Sequence, residues 1–401
     1  MTGIAERARR VSPSLTLEIT AKAKKMRAEG KPVVSFGAGE PDFNTPDYIV
    51  HAAEYALEAG MTKYTPASGT DQLKKAICDK LQKDNGLTYE PQDIVVSNGA
   101  KHALFNAFAA IIDPGDEVIV PAPYWLTYPE LIKLCEGVPV FVPCKAENDF
   151  KMTPAELEAA LTAKTKAVLI NNPCNPTGAV YTRGELEALA AVLEQEDVYI
   201  VSDEIYEKLL YEGGPYYSIA QYSPACKQKT IVINGVSKTY AMTGWRIGYT
   251  ASARPLAKAI GSMQSHVTSN PNTIAQYAAA EAYSHAEGEA FLAQMLHTFD
   301  ERRKNMIETL RKIDDLSFVY PKGAFYVMID VAHLFGKTSA GGAKLQSAFD
   351  VATALLDEQM VAAIPCESFG APNYLRLSYA ISNEDIQTGL QRIQTFVRSV
   401  H

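Results

Sequence analysis

The sequence predicts an α/β protein, with a large domain built on a mostly parallel seven-stranded sheet and a smaller α+β domain. Three observations carry this. Seven short apolar runs lie between residues 94 and 250, most of them separated by segments with helical spacing. That alternation is what a parallel sheet covered by helices requires. The runs end in Gly, Pro, Asn or Asp, which break a strand and open a turn. Beyond residue 255 the pattern changes to a long helical stretch rich in Ala, Gln and Glu, then a few strands and a last helix. The predicted division is 1–47 (an N-terminal arm and part of the small domain), 48–290 (the large domain) and 291–401 (the small domain).

A chain of 401 residues suits two or so domains. With 47% hydrophobic and 21% charged residues it is a folding sequence and not a disordered one. A net charge of -8 disfavours nucleic acid as the main partner, which wants a basic face. Small acidic substrates need only a few local cations. The six cysteines form no C-x-x-C pair, which fits a reducing, cytoplasmic compartment. The seven histidines show no metal-binding spacing. No apolar run approaches the ~20 residues that cross a bilayer. The first residues are charged and lack a signal-peptide core, and an earlier transit segment is left open.

In chain order, a helix is predicted from Ser14 or Thr16 to Gly30, then a short strand Val33–Phe36. It leads into Gly37-Ala38-Gly39-Glu40-Pro41-Asp42. This is not a dinucleotide loop, because Asp42 stands where a third glycine belongs and Pro41 prevents a helix start. Gly39 permits a close backbone approach. Asp47 is read as the cap of a helix ending at Gly60, with Ile49, Ala53, Ala56 and Leu57 on its buried face. The loop Lys63–Gly69 carries the aromatic hydroxyl of Tyr64, which in a loop is ordinarily a surface or packing residue. The strand Ile94–Ser97, the turn Asn98-Gly99-Ala100-Lys101 and a helix from His102 to Ile112 together make an anion-binding arrangement, although many such turns hold no phosphate.

The strand Glu117–Val120 ends in Pro121-Ala122-Pro123-Tyr124-Trp125, where Trp125 can stack on a flat ligand or pack in the core. Val138–Val142 and Ala167–Ile170 follow. The latter runs into Asn171-Asn172-Pro173-Cys174-Asn175-Pro176-Thr177-Gly178, an irregular turn forced by its X-Pro steps that puts the Asn175 amide at a strand end. After a helix at Gly184–Gln195, the strand Val198–Ser202 closes on Asp203, with Tyr206 a turn later. Asp203 is either a helix cap or a counter-ion. The strand Thr230–Asn234 delivers Ser237-Lys238, and Arg246 follows eight residues later. A desolvated lysine there can attack carbonyls. Ile247–Thr250 is the last strand of the large sheet. Further strands are predicted at Phe318–Tyr320, Ala324–Asp330, Val361–Ile364 and Tyr374–Ala380. Helices are predicted from Pro255 to Leu310, at 343–358 and from Glu384 to Val400.

Each feature alone is weak, but their order and spacing are not. The string Ser237-Lys238-Thr239-Tyr240-Ala241-Met242-Thr243-Gly244-Trp245-Arg246-Ile247-Gly248-Tyr249, with Asn172-Pro173-Cys174-Asn175-Pro176-Thr177-Gly178 and Ser202-Asp203-Glu204-Ile205-Tyr206-Glu207, resembles the class I (fold-type I) pyridoxal-phosphate aminotransferases. The likeness is closest to the aspartate aminotransferase subgroup that includes aspartate/prephenate enzymes, and it runs from about residue 11 to 395. It implies pyridoxal 5'-phosphate carried on Lys238, which also moves the substrate Cα proton. It implies Asp203 as partner of the ring nitrogen, Asn175 and Tyr206 on the ring's phenolic oxygen, and Trp125 against the ring. Arg246, the backbone N–H groups of Gly99, Ala100 and Lys101, and a neighbouring subunit's Tyr64 would hold the phosphate. Arg376 would bind the substrate α-carboxylate as a two-pronged pair, with Gly39 close by.

The same resemblance implies amino-acid and 2-oxo-acid substrates and a homodimer with shared sites. The expected reaction converts L-aspartate and 2-oxoglutarate to oxaloacetate and L-glutamate, with prephenate as a second substrate. A carbon–sulfur β-lyase or an aminotransferase of aromatic or other amino acids is the alternative. No arginine occurs between Arg254 and Arg302 to take a second carboxylate from across the dimer. Lys101 is expected in that role, accompanied by Thr16.

Overall fold

A computed structural model describes residues 3–11, 15–212 and 214–401, except for the side chains of Arg7 and of residues 15–17. After a two-residue strand β1 (Val34–Ser35), seven strands build the main sheet. They are β2 (Ile94–Ser97), β3 (Glu117–Ala122), β4 (Val138–Pro143), β5 (Thr165–Asn171), β6 (Tyr199–Asp203), β7 (Thr230–Gly235) and β8 (Gly248–Ala251). Their spatial order is β2-β8-β7-β6-β5-β3-β4. Only β8 runs against its neighbours, pairing antiparallel with both β2 and β7. The mostly parallel sheet is as the sequence predicts.

Burial on both faces explains the near-continuous apolar runs. Side chains alternate sides along each strand. Leu169, Val201 and Ile231 pack with Leu104, Phe108 and Ile260 on one face. Val168, Ile170 and Ile200 pack with Leu186, Leu189 and Leu193 on the other. Each fully buried Leu or Phe contributes about 2 kcal/mol of transfer free energy. The covering helices have sequence-encoded starts. Thr182 accepts from the Glu185 N–H while the Glu185 carboxylate takes the Thr182 N–H, and Thr153 and Glu156 repeat the arrangement.

The C-terminal residues and an N-terminal segment share a second core. Ile19, Met26, Val34 and Phe36 pack with Phe299, Leu310, Leu355, Leu377, Leu390 and Phe396. Strands β9 (Tyr326–Asp330), β10 (Val361–Ala362), β11 (Ile364–Pro365) and β12 (Tyr374–Ser378) belong here. β1 pairs in parallel with β10, and β11, β12 and β9 form a small antiparallel sheet in that order.

Several predicted elements change. The strand expected at Phe318–Tyr320 is a single bridge from Phe318 to Ile329. The chain leaves the ladder because the N–H groups of Lys322 and Gly323 turn to the Gly178 carbonyl, at 2.8 and 2.9 Å. The helix expected from 343 starts at Ala348, where the Ser347 hydroxyl caps it. The expected strand Val361–Ile364 is two, because its partner switches from β1 to β12 around Ala363. Asp47 is not a cap. It lies in the first turn of the helix Asp47–Glu58, after Pro46, where a negative charge still suits the helix dipole. Leu57 is exposed and not on the buried face with Ile49, Ala53 and Ala56.

Candidate active site

The carboxyl ends of the parallel strands open into a cavity of about 450 Å³. Ligands of open α/β sheets bind at this edge. Asp203 ends β6 in mid-sheet, paired with Asn171 of β5 and Ile233 of β7. Strand β7 ends two residues before Ser237 and Lys238. Beyond β5 the cis Asn172–Pro173 peptide starts the turn that carries Asn175. Lys101, Ala100, Trp125, Asn175, Asp203, Tyr206, Lys238, Arg246, Arg376 and Gly39 all line this cavity.

Asp203 is 2% exposed. Its Oδ2 accepts from the Tyr128 hydroxyl at 2.7 Å and its Oδ1 from the Ile205 N–H at 3.2 Å. Burial pushes its carboxyl up to about 6, against those two hydrogen bonds and the attraction of Lys238. Asp203 is not a helix cap: residues 205–208 form a turn and no helix starts there, so its bond to the Ile205 N–H is a local turn contact. The counter-ion reading is the one the buried carboxylate at the cavity wall supports.

Lys238 reaches the Gly39 carbonyl. Desolvation brings its amine down to about 8; Glu40 opposes the shift, while Arg376 and Arg246 add to it. A lysine so placed has about a tenth of its amine neutral at pH 7, far more than an ordinary lysine, and a nucleophile toward carbonyls needs that neutral form. Its ammonium lies 5.7 Å from the ring centres of both Tyr206 and Phe325.

Arg376 comes from β12 in the second core and is 7% exposed. Its Nη1 donates to Asn175 Oδ1 at 2.8 Å, and its guanidinium lies 4.3 Å from the Tyr326 ring centre. Its buried Nε has no partner. An unfilled donor on a planar fork is what a ligand carboxylate would take. Tyr206 and Tyr326 share a 3.0 Å hydrogen bond. Burial, then Tyr326, holds the Tyr206 phenol well above its ordinary pKa, so it stays a neutral donor.

At the other side of the constellation, the turn after β2 starts the helix Ala100–Ile111. Gly99 has φ +87°, and a Cβ there would stand 2.2 Å from Arg246 Nη2. Only glycine lets the guanidinium lie against this turn. Arg246 donates to the Thr243 carbonyl at 2.8 Å. Lys101 sits 4.8 Å from the Trp125 ring centre. Burial and then Arg246 lower its pKa. Two cations crowded at a helix start form an anion site.

Tyr64 is 88% exposed and does not line its own chain's cavity. The Thr16 side chain lies outside the described residues. Tyr128, Tyr326, Phe369, Glu40 and Thr243 also line or brace the site and were not singled out from sequence. Glu40 and Thr243 do lie within the motifs Gly37–Asp42 and Ser237–Tyr249, whereas the three aromatic residues carry no local signal. Among the described residues, no cluster of His, Cys, Asp or Glu could hold a metal ion. Among the same residues, no helix is long and apolar enough to cross a membrane.

Known proteins share both sequence and fold. Residues 31–393 match the family described as aminotransferase class I and II. An aspartate aminotransferase of Bacillus sp. (strain YM-2) is 48% identical over 395 residues, covering 98% of this chain and 99% of that one. An aspartate/prephenate aminotransferase of Cereibacter sphaeroides is 47% identical, covering 96% of each. Among solved structures, aspartate aminotransferase from Rhizobium meliloti superposes with a TM-score of 0.96 at 41% identity, covering all of both chains. That of Thermus thermophilus with maleate gives 0.93 at 40% identity, covering 99% of this chain and 100% of that one. With these matches spanning nearly its whole length, the chain belongs to the class I and II aminotransferases.

Proposed function

We propose that the protein is a pyridoxal 5'-phosphate-dependent aspartate aminotransferase. It moves the amino group of L-aspartate to 2-oxoglutarate, giving oxaloacetate and L-glutamate, and also accepts prephenate. The observation that carries this is a single cavity joining a depressed lysine amine, a buried carboxylate and three further cations.

The residues present fit the cofactor. The turn at Gly99, with the Arg246 guanidinium lying against it and the first N–H groups of a helix beside it, suits a phosphate. Asp203 suits a protonated ring nitrogen, and Trp125 offers a flat face. When bound, pyridoxal phosphate supplies the electron sink for the charge left when substrate Cα loses its proton. Lys238 would carry the cofactor and move that proton. Asp203 would hold the proton on the ring nitrogen. Asn175 and the Tyr206 phenol would donate to the ring oxygen. Arg376 orients the α-carboxylate through its fork, with the Gly39 backbone close by.

The second carboxylate of the substrate is assigned to Lys101, accompanied by Thr16. The Thermus relative whose structure carries maleate, a dicarboxylate, supports a site of this kind. The phosphate site is completed by the partner's Tyr64. The exposed Tyr55, Leu57, Tyr64, Met263 and Val267 supply apolar surface for a homodimer. The division at residue 290 falls within the first turn of the helix Glu287–Leu310, which would then link the large, cofactor-binding domain to the small one. A cytoplasmic location completes the proposal.

Lys101→Ala tests the substrate assignment. A charge-assisted contact to carboxylate is worth about 1.5–3 kcal/mol, so kcat/KM should fall about 10- to 100-fold for aspartate and prephenate. Phenylalanine, with no second carboxylate, should lose little. A uniform loss across the three would assign Lys101 to the cofactor or the fold.

A further inference from the structure

Two buried glutamines lie outside the cavity, and the roles assigned above do not use them. Gln264, on the helix Arg254–Val267, and Gln276, on the helix Thr273–Ser284, are both 0% exposed. Gln276 Oε1 accepts the Thr70 N–H at 2.8 Å. Its Nε2 donates to Thr65 Oγ1 and to the Pro271 carbonyl, each at 3.0 Å. A backbone N–H facing one end and a backbone carbonyl facing the other fix the orientation of the amide. Gln264 Nε2 donates to the carbonyls of Ala67 and Val96, both at 2.6 Å, and its Oε1 accepts from Ser97 and Asn106.

These bonds converge on the loop 63–70. Thr273 Oγ1 also donates to the Lys63 carbonyl at 2.9 Å, and the Val96 N–H donates to that of Ser68 at 3.0 Å. Gly69, at φ +101°, has no room for a side chain: a Cβ would lie 2.7 Å from Val96 Cγ2 and 3.2 Å from Gln276 Oε1. The loop is therefore held at Lys63, Thr65, Ala67, Ser68 and Thr70. Between the first two of these fixed points, Tyr64 alone projects, 88% exposed. Loops ordinarily spend their backbone groups on water. Here two buried amides, making seven hydrogen bonds between them, hold the loop that presents Tyr64.

We propose that Gln276, supported by Gln264, is a positioning residue acting in trans: it fixes the loop so that Tyr64 completes the partner subunit's phosphate site. The inference rests on the reading given above for Tyr64. The Gln276 side chain hydrogen-bonds Thr65, Thr70 and Pro271, none of which lines its own cavity among the described residues, so its removal should spare its own site and weaken the neighbour's. Gln264 also grips Ser97, next to its own phosphate turn, so it should affect both sites.

Mixed dimers separate the two directions. Two differently tagged chains are co-expressed, one carrying Lys238→Ala, so that only the other gives the absorbance of lysine-bound cofactor. Gln276→Leu is then placed on either chain, and the pyridoxal-phosphate dissociation constant of the Lys238-bearing site is measured. On the Lys238→Ala chain it should weaken that site about tenfold, the worth of one hydrogen bond to a charged oxygen. On the Lys238-bearing chain it should change the constant by less than about twofold, within the scatter of a distant substitution. Loss only in the chain that bears Gln276→Leu, or equal loss in both arrangements, overturns the proposal and makes Gln276 a packing residue. Should Gln276→Leu fail to fold, Thr65→Val removes just the loop hydroxyl and should give about threefold loss in trans; no loss in trans overturns the proposal equally. Tyr64→Phe in the same dimers tells the two readings apart. If it is silent in trans, the Tyr64 reading falls and this one with it. If it weakens the site in trans while Gln276→Leu does not, only the role of Gln276 is lost.

Discussion

Lys238→Ala is expected to leave a folded protein with no measurable repeated turnover, a loss of about five powers of ten or more. The amine has two jobs in the proposed reaction, holding the cofactor and moving the Cα proton, and no neighbour can take both. Among the described residues, Lys101 is the only other lysine lining the cavity, and it lies over Trp125 beside Arg246, not beside Asp203 and Tyr206. Stability should hold. Desolvation already disfavours the ammonium at 238, so deleting it removes a strained charge and not a supporting one. Borohydride reduction of the wild type, followed by peptide mapping, should place the pyridoxyl group on Lys238. Label on Lys101 would contradict the assignment.

Asp203→Ala carries the second largest expected effect. Without a carboxylate at the ring nitrogen, the cofactor loses its proton there and much of its capacity to accept charge. A loss of about three powers of ten in kcat corresponds to roughly 4 kcal/mol on the barrier. Asp203→Glu should retain more activity than Asp203→Ala, and equal activity of wild type and the alanine variant would refute the role. A pH signature accompanies it. In the cofactor-free protein the carboxyl is raised to about 6, so it is charged above that pH and protonates as pH falls through it. Cofactor affinity in the wild type should therefore weaken below about pH 6. In Asp203→Ala that limb should be missing. Binding titrations across pH 5 to 8 in steps of about half a unit check this against the ordinary carboxylate range.

Much of this is legible in the sequence. A polar residue just past a buried apolar run must sit at a sheet edge, and Asp203 follows this logic directly, with Asn175 and Lys238 in the turns beyond their strands. Gly99 was legible as a turn, though not its need to clear Arg246. What stayed hidden depends on contacts between distant segments. Tyr128 and Tyr326 are two of 21 tyrosines, and nothing local marks the one that reaches Asp203 or the one that lies under Arg376. Gln264 and Gln276 give no signal in the sequence, because a helical glutamine gives no sign that it will be buried. Phe318–Tyr320 misled for the opposite reason. Its apolar run reads as a strand, but Gly178 draws away the N–H groups just beyond it. Leu57 fits a helical stripe by spacing yet is exposed, which the proposed subunit contact would account for.

The central claim is that this cavity exchanges an amino group between two acids, and a half-reaction tests it most directly. The cofactor-loaded protein is mixed with L-aspartate and no 2-oxo acid, and the products are counted. The account predicts one oxaloacetate per site, retention of the nitrogen on the protein-bound cofactor, and return to the starting spectrum on adding 2-oxoglutarate with release of one glutamate. Continuous release of ammonia without any 2-oxo acid would contradict it.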